Sequence, residues 1–514
     1  MAFPPLPALD NYSFANMTYV KWRPKFKFMS EETESPYSMT ESQLEMRRRK
    51  PDYGRLSTQL FVGILACLSS ISFGTTLGWS HPVSQNLALK YKDVADNKLT
   101  ILLSISLLGC SFGVTSCTFM IQQWGPKKAM RYIGVFYIMT WWLILLPRGK
   151  VQVAGRFFLG FFGISYSMCG ETLYLQTVHY HLKRYISVFH NSSMVFGVLI
   201  SHMVGAATTT FYLTVCCALI PVLHYILFQI VPESPVFLYQ TSHVAASESL
   251  AWYRGAGNFY EDMGNLKKDW EANRYDTEAY GYMFFAKVVY RGLLIVLGVA
   301  FFQAFGGYFI FLFYEVRVWA EKSVFSPVVD ALIGALFFVV TKFLWSVLHE
   351  FTSKNVRPLL ISSCFFSALA LTAIAIYLIL DNRKIDFLKW FFWMPTLAMS
   401  CFLFSFEMGL NYFPKVLTFE YMPFQVYKRA TVIVQSLYWL MAFLNIYCFA
   451  STYLIIPTYA FFIVLAILAY IGTLFCYYFV VEPKGKSLVQ VQLELGGNPV
   501  GRRGALYHQT KRTL

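Results

Sequence analysis

Charge is scarce in this chain. Asp, Glu, Lys and Arg together make up 14% of its 514 residues, where soluble domains carry about 25%. The shortage is concentrated in blocks of apolar sequence, the pattern of membrane spans rather than of a soluble core. Other signals are missing as well. No Gly-rich loop ending in Lys and Ser or Thr is present to cradle a nucleotide phosphate, which excludes the commonest ATP-driven design. The triplet His179-Tyr180-His181 stands without a matching carboxylate or Cys cluster, so no metal site is expected. No nucleophile–base constellation supports a membrane enzyme, and no cofactor is implied. The ten cysteines lie inside apolar blocks, for example Cys67, Cys110, Cys216 and Cys364, spaced neither for zinc nor for an extracellular disulfide. The first 56 residues are polar and basic and lack the short apolar core of a signal peptide.

What is present points to a bilayer. Apolar residues reach 56%, with 49 Phe, 34 Tyr and 12 Trp. The net charge of +15 gathers at the termini and between apolar blocks. That favours a membrane surface over nucleic acid as the partner of the basic residues, because Lys and Arg in short loops set orientation. A spanning helix needs about 20 mostly apolar residues. Twelve candidates fit: 57–80, 100–121, 129–147, 151–175, 185–205, 207–231, 292–314, 327–349, 358–380, 388–413, 430–450 and 454–481. The run Arg47–Lys50 before the first of them predicts a cytoplasmic N-terminus, with the sequons at Asn11 and Asn16 unmodified in that tail. Twelve spans then return the C-terminus to the cytoplasm. Inner loops hold Lys127, Lys128, Arg131, Lys183, Arg184, Lys354, Arg357, Lys428 and Arg429; outer loops are not charge-free, with Arg148, Lys150, Arg383 and Lys384 among them, but the longer inner segments win the count.

The connections are short except for residues 232–291. The expected organisation is a tail (1–56), a six-helix bundle (57–231), a cytoplasmic helical loop (232–291), a second six-helix bundle (292–481) and a C-terminal tail (482–514). In the loop, Pro232 breaks span 6, Ser234 is placed to cap a new helix, Pro235 suits its first turn, and Gly255 can end a second short helix.

Several stretches stand in a characteristic order: FGTTLGWSHP (73–82), GRFFLG (155–160), VPESPVFL (231–238), ESLAWYRG (248–255), RPLL (357–360), YWLMAF (438–443) and VVEPKGKSL (480–488). As an ordered set over about residues 57–492 they resemble the sugar porter family of the major facilitator superfamily, most of all its arthropod trehalose-transporter-like branch. The resemblance implies an all-α membrane protein of the major facilitator fold, with twelve transmembrane helices in two six-helix bundles and a cytoplasmic helical loop between them. It also implies a facilitative carrier working by alternating access, with a small-molecule solute, in the plasma membrane.

The departures from the family pattern shape the expectations for the site. The family's span 7 reads Gln-Gln-x-x-Gly-x-Asn; here Gln303 and Gly306 remain, with Phe302 and Tyr308 at the other amide positions. The span 5 amide aligns with Asn191, the span 8 polar residue with Phe337, and the span 11 Asn-Trp pair with Tyr438 and Trp439. In GLNYFPK (409–415), Lys415 takes the place of the Trp that floors the family's sugar site. A desolvated polyol needs its hydrogen bonds replaced. A hexose or trehalose is the first candidate, and a less hydroxylated or anionic metabolite the alternative. The family's inner latch is implied at Lys127, Lys128, Arg184, Glu233, Glu350, Arg357, Glu420, Lys428 and Glu482. Gln122, Gln123 and Gln176 replace N-half charges and Val236 replaces the Arg after PESP, so a weakened latch is expected. A non-transporting sensor or scaffold is therefore a second reading.

Charges within spans are costly and mark function. Arg156 has Thr76 where proton-coupled relatives carry an acid, which predicts facilitated diffusion; its other reading is a side chain reaching the outer headgroups. Glu171 replaces a family Pro. Glu407 and Lys415 lie eight residues apart, about 12 Å along a regular helix and too far to pair directly unless the helix breaks at Pro414. Lys415 has two readings, a cavity cation or a side chain directed to the inner surface, and proton coupling through Glu407 or Glu171 stays open. His190 and His202 read as packed core histidines.

Overall fold

The computed structural model describes residues 55–84, 96–146, 149–255, 284–319, 327–351, 355–384, 393–452 and 456–497, with a few isolated positions between them. Asn11, Asn16, Arg47–Lys50, Arg148 and Lys354 lie outside the described residues.

Helices meet all twelve predicted spans. Spans 1 to 6 are Leu56–Gly78, Asp96–Trp124, Pro126–Ile144, Gly149–Thr177, Tyr180–Ala207 and Thr210–Phe228. Span 7 is two helices, 7a (Lys287–Ala304) and 7b (Tyr308–Trp319). Spans 8 and 9 are Pro327–Phe351 and Val356–Asn382. Span 10 is again two, 10a (Met394–Met408) and 10b (Phe413–Tyr421). Spans 11 and 12 are Phe424–Thr452 and Thr458–Phe479. Eight of these pass as spans on length and apolarity alone. The exceptions are spans 3, 4, 5 and 10, which carry basic ends, many hydroxyls and histidines, or a break.

The sequence windows therefore need correction at several ends. Span 7 starts five residues earlier than expected, inside the segment assigned to the loop, and span 10 extends to Tyr421 rather than 413. Apolar windows see only the part of a helix that needs to be apolar, and polar helical ends run on into the headgroup region.

Both breaks carry their own solution for stranded backbone groups. In span 7, Gly307 takes φ +93°, a region open to Gly, and the buried Asn445 amide donates to the Ala304 carbonyl at 3.0 Å. In span 10, the Ser363 hydroxyl accepts from Leu410 N at 3.0 Å and donates to Ser405 O at 2.7 Å. Non-helical backbone at membrane depth is tolerated only when satisfied in this way inside protein.

The two halves meet along spans 2 and 11 and along spans 5 and 8. Within the N-half, glycines bring backbones into contact. A Cβ at Gly160 would sit 1.8 Å from Ser106 O, and one at Gly109 would sit 2.0 Å from Phe157 O, so spans 2 and 4 touch at main-chain distance. This gives GRFFLG its final Gly a physical reason.

The motifs at the inner face act as clasps. Gly125, at φ +83°, turns the chain between spans 2 and 3, and Pro126 opens span 3. The Glu233 carboxylate of PESP accepts from Lys127 N at 2.9 Å and Lys128 N at 3.0 Å, at the N-terminal end of span 3. In the C-half, the Glu482 carboxylate accepts from Val356 N at 3.1 Å and Arg357 N at 2.8 Å, at the start of span 9. Burial pushes the Glu233 carboxyl up, and the N–H groups of Ser234, Lys127 and Lys128 pull the other way.

The Ser234 expectation fails. Its hydroxyl is buried and makes no cap bond, while its N–H is taken by Glu233 at 3.0 Å. The short helix Pro235–Leu238 thus starts on Pro235 alone, and Ser242 caps the second helix, His243–Arg254, by accepting from Ala245 N. Gly255 ends that helix at φ +86°. ESLAWYRG docks it on the N-half: Ser249 donates to Glu233 O, Tyr253 to Pro232 O and Arg254 to Thr177 O.

Candidate functional site

A cavity of about 210 Å³ lies at the seam of the two halves. Spans 1 and 5 contribute Ser70, His190, Asn191 and Met194; the opposite wall comes from spans 7, 8, 10 and 11. Of the predicted cavity residues, Asn191, Gln303, Tyr308, Lys415, Tyr438 and Trp439 all line it.

Phe302 and Phe337 do not. Phe302 turns away to pack on Phe475, with ring centroids 5.4 Å apart, and against Gly472 of span 12. The neighbour of Phe337, Phe338, is the buried one and meets the Tyr308 ring at 5.2 Å. One residue rotates a helix face by about 100°, so the two neighbours face different surroundings.

Tyr308, Trp439 and His190, which line the wall, each carry a buried polar atom with no partner among the described residues: Tyr308 Oη, Trp439 Nε1 and His190 Nδ1. Buried polar groups are nearly always paired, so such a cluster in one cavity is a signal of ligand chemistry. The rings around them are well packed. Tyr308 stacks on Phe406 at 5.1 Å, and Trp439 meets Phe73 across the halves at 5.8 Å.

Two pairs of opposite charge lie within the membrane spans, but not as expected. Lys415 Nζ reaches Glu171 Oε1 at 2.5 Å, joining 10b to span 4 across the two halves. The reading in which Lys415 extends to the inner surface is therefore replaced, and Glu171 gains its role as the partner. Glu407, only 1% exposed, binds Lys342 Nζ at 2.7 Å from span 8. Lys342 escaped the sequence reading; an isolated Lys four residues before Ser346 in an apolar helix was the available signal. Asn411, in the break of span 10, was missed too. It donates to Glu407 Oε1 at 2.7 Å and accepts from Gln303 Nε2 at 3.2 Å.

Arg156 is fully buried, which excludes the headgroup reading. It donates to Thr76 O at 2.8 Å, to Ser80 Oγ, and to Ser106 Oγ at 3.3 Å, and lies 4.7 Å over the Trp79 ring. Among the described residues no carboxylate pairs with it. His202 packs on His81 with ring centroids 4.5 Å apart.

Of the predicted latch, Arg184 and Glu350 meet across the halves: Arg184 Nη2 donates to Glu350 O at 3.0 Å and its Nε lies 3.9 Å from Oε1. The N-half thus does hold a cross-half basic partner at the inner face, despite its substitutions. Lys127, Lys128 and Glu233 come together within the N-half, and Arg357 and Glu482 within the C-half, through backbone amides. Glu420 and Lys428 sit half-buried at the inner ends of 10b and span 11.

A family profile described as sugar (and other) transporter matches residues 11–495. This chain belongs to that family. Among curated proteins it is 24% identical over 448 residues to the facilitated trehalose transporter Tret1 of Bombyx mori, covering 86% of this chain and 87% of that one. It is 23% identical over 467 residues to Tret1 of Polypedilum vanderplanki, covering 89% and 92%. Among solved structures, the inward-open xylose transporter XylE of E. coli matches with TM-score 0.70 at 16% identity, over 85% of this chain and 99% of that one. Its partially occluded inward-open form matches with TM-score 0.67 at 15% identity, over 82% and 100%. The sugar transporter is therefore an integral, multi-pass membrane protein of the major facilitator fold, a carrier rather than an enzyme.

Proposed function

We propose that this sugar transporter is a facilitative carrier of a hexose or of trehalose, working as a uniporter in the plasma membrane with both termini cytoplasmic. The observation that carries the reading is a cavity whose lining residues include Tyr308, Trp439 and His190, each with a buried polar atom that has no partner among the described residues, beside the amides of Asn191, Gln303 and Gln435. Directional donors and acceptors on aromatic walls suit a desolvated polyol. The cavity volume is below the roughly 300–1,000 Å³ of most small-molecule sites, which favours a one-ring solute over a two-ring one in this conformation. Arg156 bonded to hydroxyls and a carbonyl, with no acid on it among the described residues, supports transport without a proton.

The test is uptake of radiolabelled glucose and trehalose by oocytes or proteoliposomes. The expected result is saturable flux that persists when the proton gradient is collapsed. Flux that disappears with the gradient would overturn uniport, and binding without flux would favour the sensor reading. Tyr308→Phe removes the unpartnered hydroxyl. With the solute hydrogen bond lost, KM for the transported sugar is expected to rise about three- to tenfold, while protein yield stays unchanged.

A further inference from the structure

Four side chains from four segments form a chain of directed hydrogen bonds that ends at the cavity. Lys342 Nζ donates to Glu407 Oε2 at 2.7 Å. Glu407 Oε1 accepts from Asn411 Nδ2 at 2.7 Å. Asn411 Oδ1 accepts from Gln303 Nε2 at 3.2 Å.

The polarity of this chain follows from chemistry. Lysine only donates, and a carboxylate bound to it only accepts. Asn411 must then offer its NH2 to Glu407, which turns its carbonyl towards span 7. Gln303 must answer with its own NH2. Its Nε2 also reaches the main-chain oxygen of Asn411 at 3.5 Å, so the atom it has left to present to the cavity is its carbonyl oxygen Oε1. An amide is otherwise ambidextrous and would serve a donor or an acceptor equally well.

We propose that Lys342, Glu407 and Asn411 are positioning residues that lock Gln303 as a hydrogen-bond acceptor, so that the carrier selects a solute with a donor hydroxyl at that position. The inference rests on the sugar reading of the cavity and adds the sense of one of its contacts. It also makes a directional prediction. In Glu407→Gln, Lys342 still only donates, so it claims the new amide oxygen. The new NH2 then faces Asn411, which must accept, and Asn411 in turn offers its NH2 to Gln303. Gln303 accepts, and presents its NH2 to the cavity. One substitution reverses the side-chain bonds, and Gln303 gives up only its 3.5 Å contact to the main-chain oxygen of Asn411. Asn411→Ala instead breaks the chain, leaving Gln303 only the longer, 3.5 Å contact to the main-chain oxygen of residue 411.

The experiment is competition against radiolabelled glucose on the purified full chain, using monodeoxy and monodeoxyfluoro glucoses. Fluorine accepts weakly and cannot donate. The wild type is expected to show one ring position at which the fluoro sugar, like the deoxy sugar, binds about tenfold or more weaker than glucose. At that position Glu407→Gln is expected to bring the fluoro sugar to within about threefold of glucose while the deoxy sugar stays weak. Asn411→Ala is expected to shrink the gap without that separation. Because it removes no charge, it keeps the test valid if Glu407→Gln fails to fold. A wild-type ranking retained in the folded variants, or no hydroxyl-over-fluorine preference in a wild type that binds glucose, would overturn this inference alone. A wild type that binds no sugar would overturn the sugar reading, and this inference with it.

Discussion

Reversing both charges together, Glu171→Lys with Lys415→Glu, restores transport that either reversal alone abolishes. The two side chains meet at 2.5 Å between span 4 and 10b. Either single reversal sets two like charges against each other at membrane depth. Removing one partner of a fully buried pair costs roughly 3–5 kcal/mol. Here a quarter to a third of each side chain remains accessible from the cavity. The expected loss for Lys415→Ala is therefore lower, on the order of 2–3 kcal/mol. Thermal unfolding in detergent checks the stability arm, and uptake in proteoliposomes checks the transport arm. Each single reversal should lower uptake more than about tenfold, and the double should recover most of it. A double no better than the worse single would show that the residues do not act as a pair.

The second large effect is expected at Gly160. Its missing Cβ would stand 1.8 Å from a backbone oxygen, Ser106 O, which cannot turn aside like a side chain. Gly160→Val must push spans 2 and 4 apart along their length. The cost is expected to be at least about 3 kcal/mol, at the upper end of overpacking. The measurable outcome is loss of the monodisperse peak on size exclusion in detergent. Gly149→Ala is the control, since a Cβ there meets nothing within 4 Å. Equal behaviour of the two variants would mean that the helices separate easily and that the close approach is incidental.

These two predictions differ in how far the sequence led to them. Spans were legible because a bilayer demands long apolar runs and imposes them locally. The clasps were partly legible, since PESP and EPKG mark where chains leave the membrane. The sequence cues did not show that Glu233 and Glu482 act on backbone amides rather than on basic side chains. Gly306, Gly409 and Pro414 were in view, but the breaks in spans 7 and 10 depend on Asn445 and Ser363 from neighbouring helices. Charge pairing was the least legible. Glu171 and Lys415 are 244 residues apart, and no local pattern joins them. Glu407 and Lys415 looked related because they share a short segment, yet each found its partner elsewhere, on spans 8 and 4. Phe337 lies away from the cavity, and it is Phe338 that packs on Tyr308, a helix-face difference that no local pattern reveals.

The two clasps have a bearing on how the molecule switches. Glu233 directly follows span 6 and holds the amides of Lys127 and Lys128 of the same half, and Glu482 directly follows span 12 and holds the amides of Val356 and Arg357 of the other. A rocking motion of one half against the other carries these bonds along unbroken. The bonds seen to cross are of another kind: Glu171 with Lys415, Arg184 with Glu350, and Ser111 and Thr115 with Ser436. They join the two halves in this arrangement, so a rocking motion of one half against the other acts on them directly. Changes at the clasps act on whether each half is built, while changes at the crossing bonds act on how long the carrier waits in each state. For the second group the balance between states is the sensitive quantity, at a factor of ten for every 1.4 kcal/mol or so.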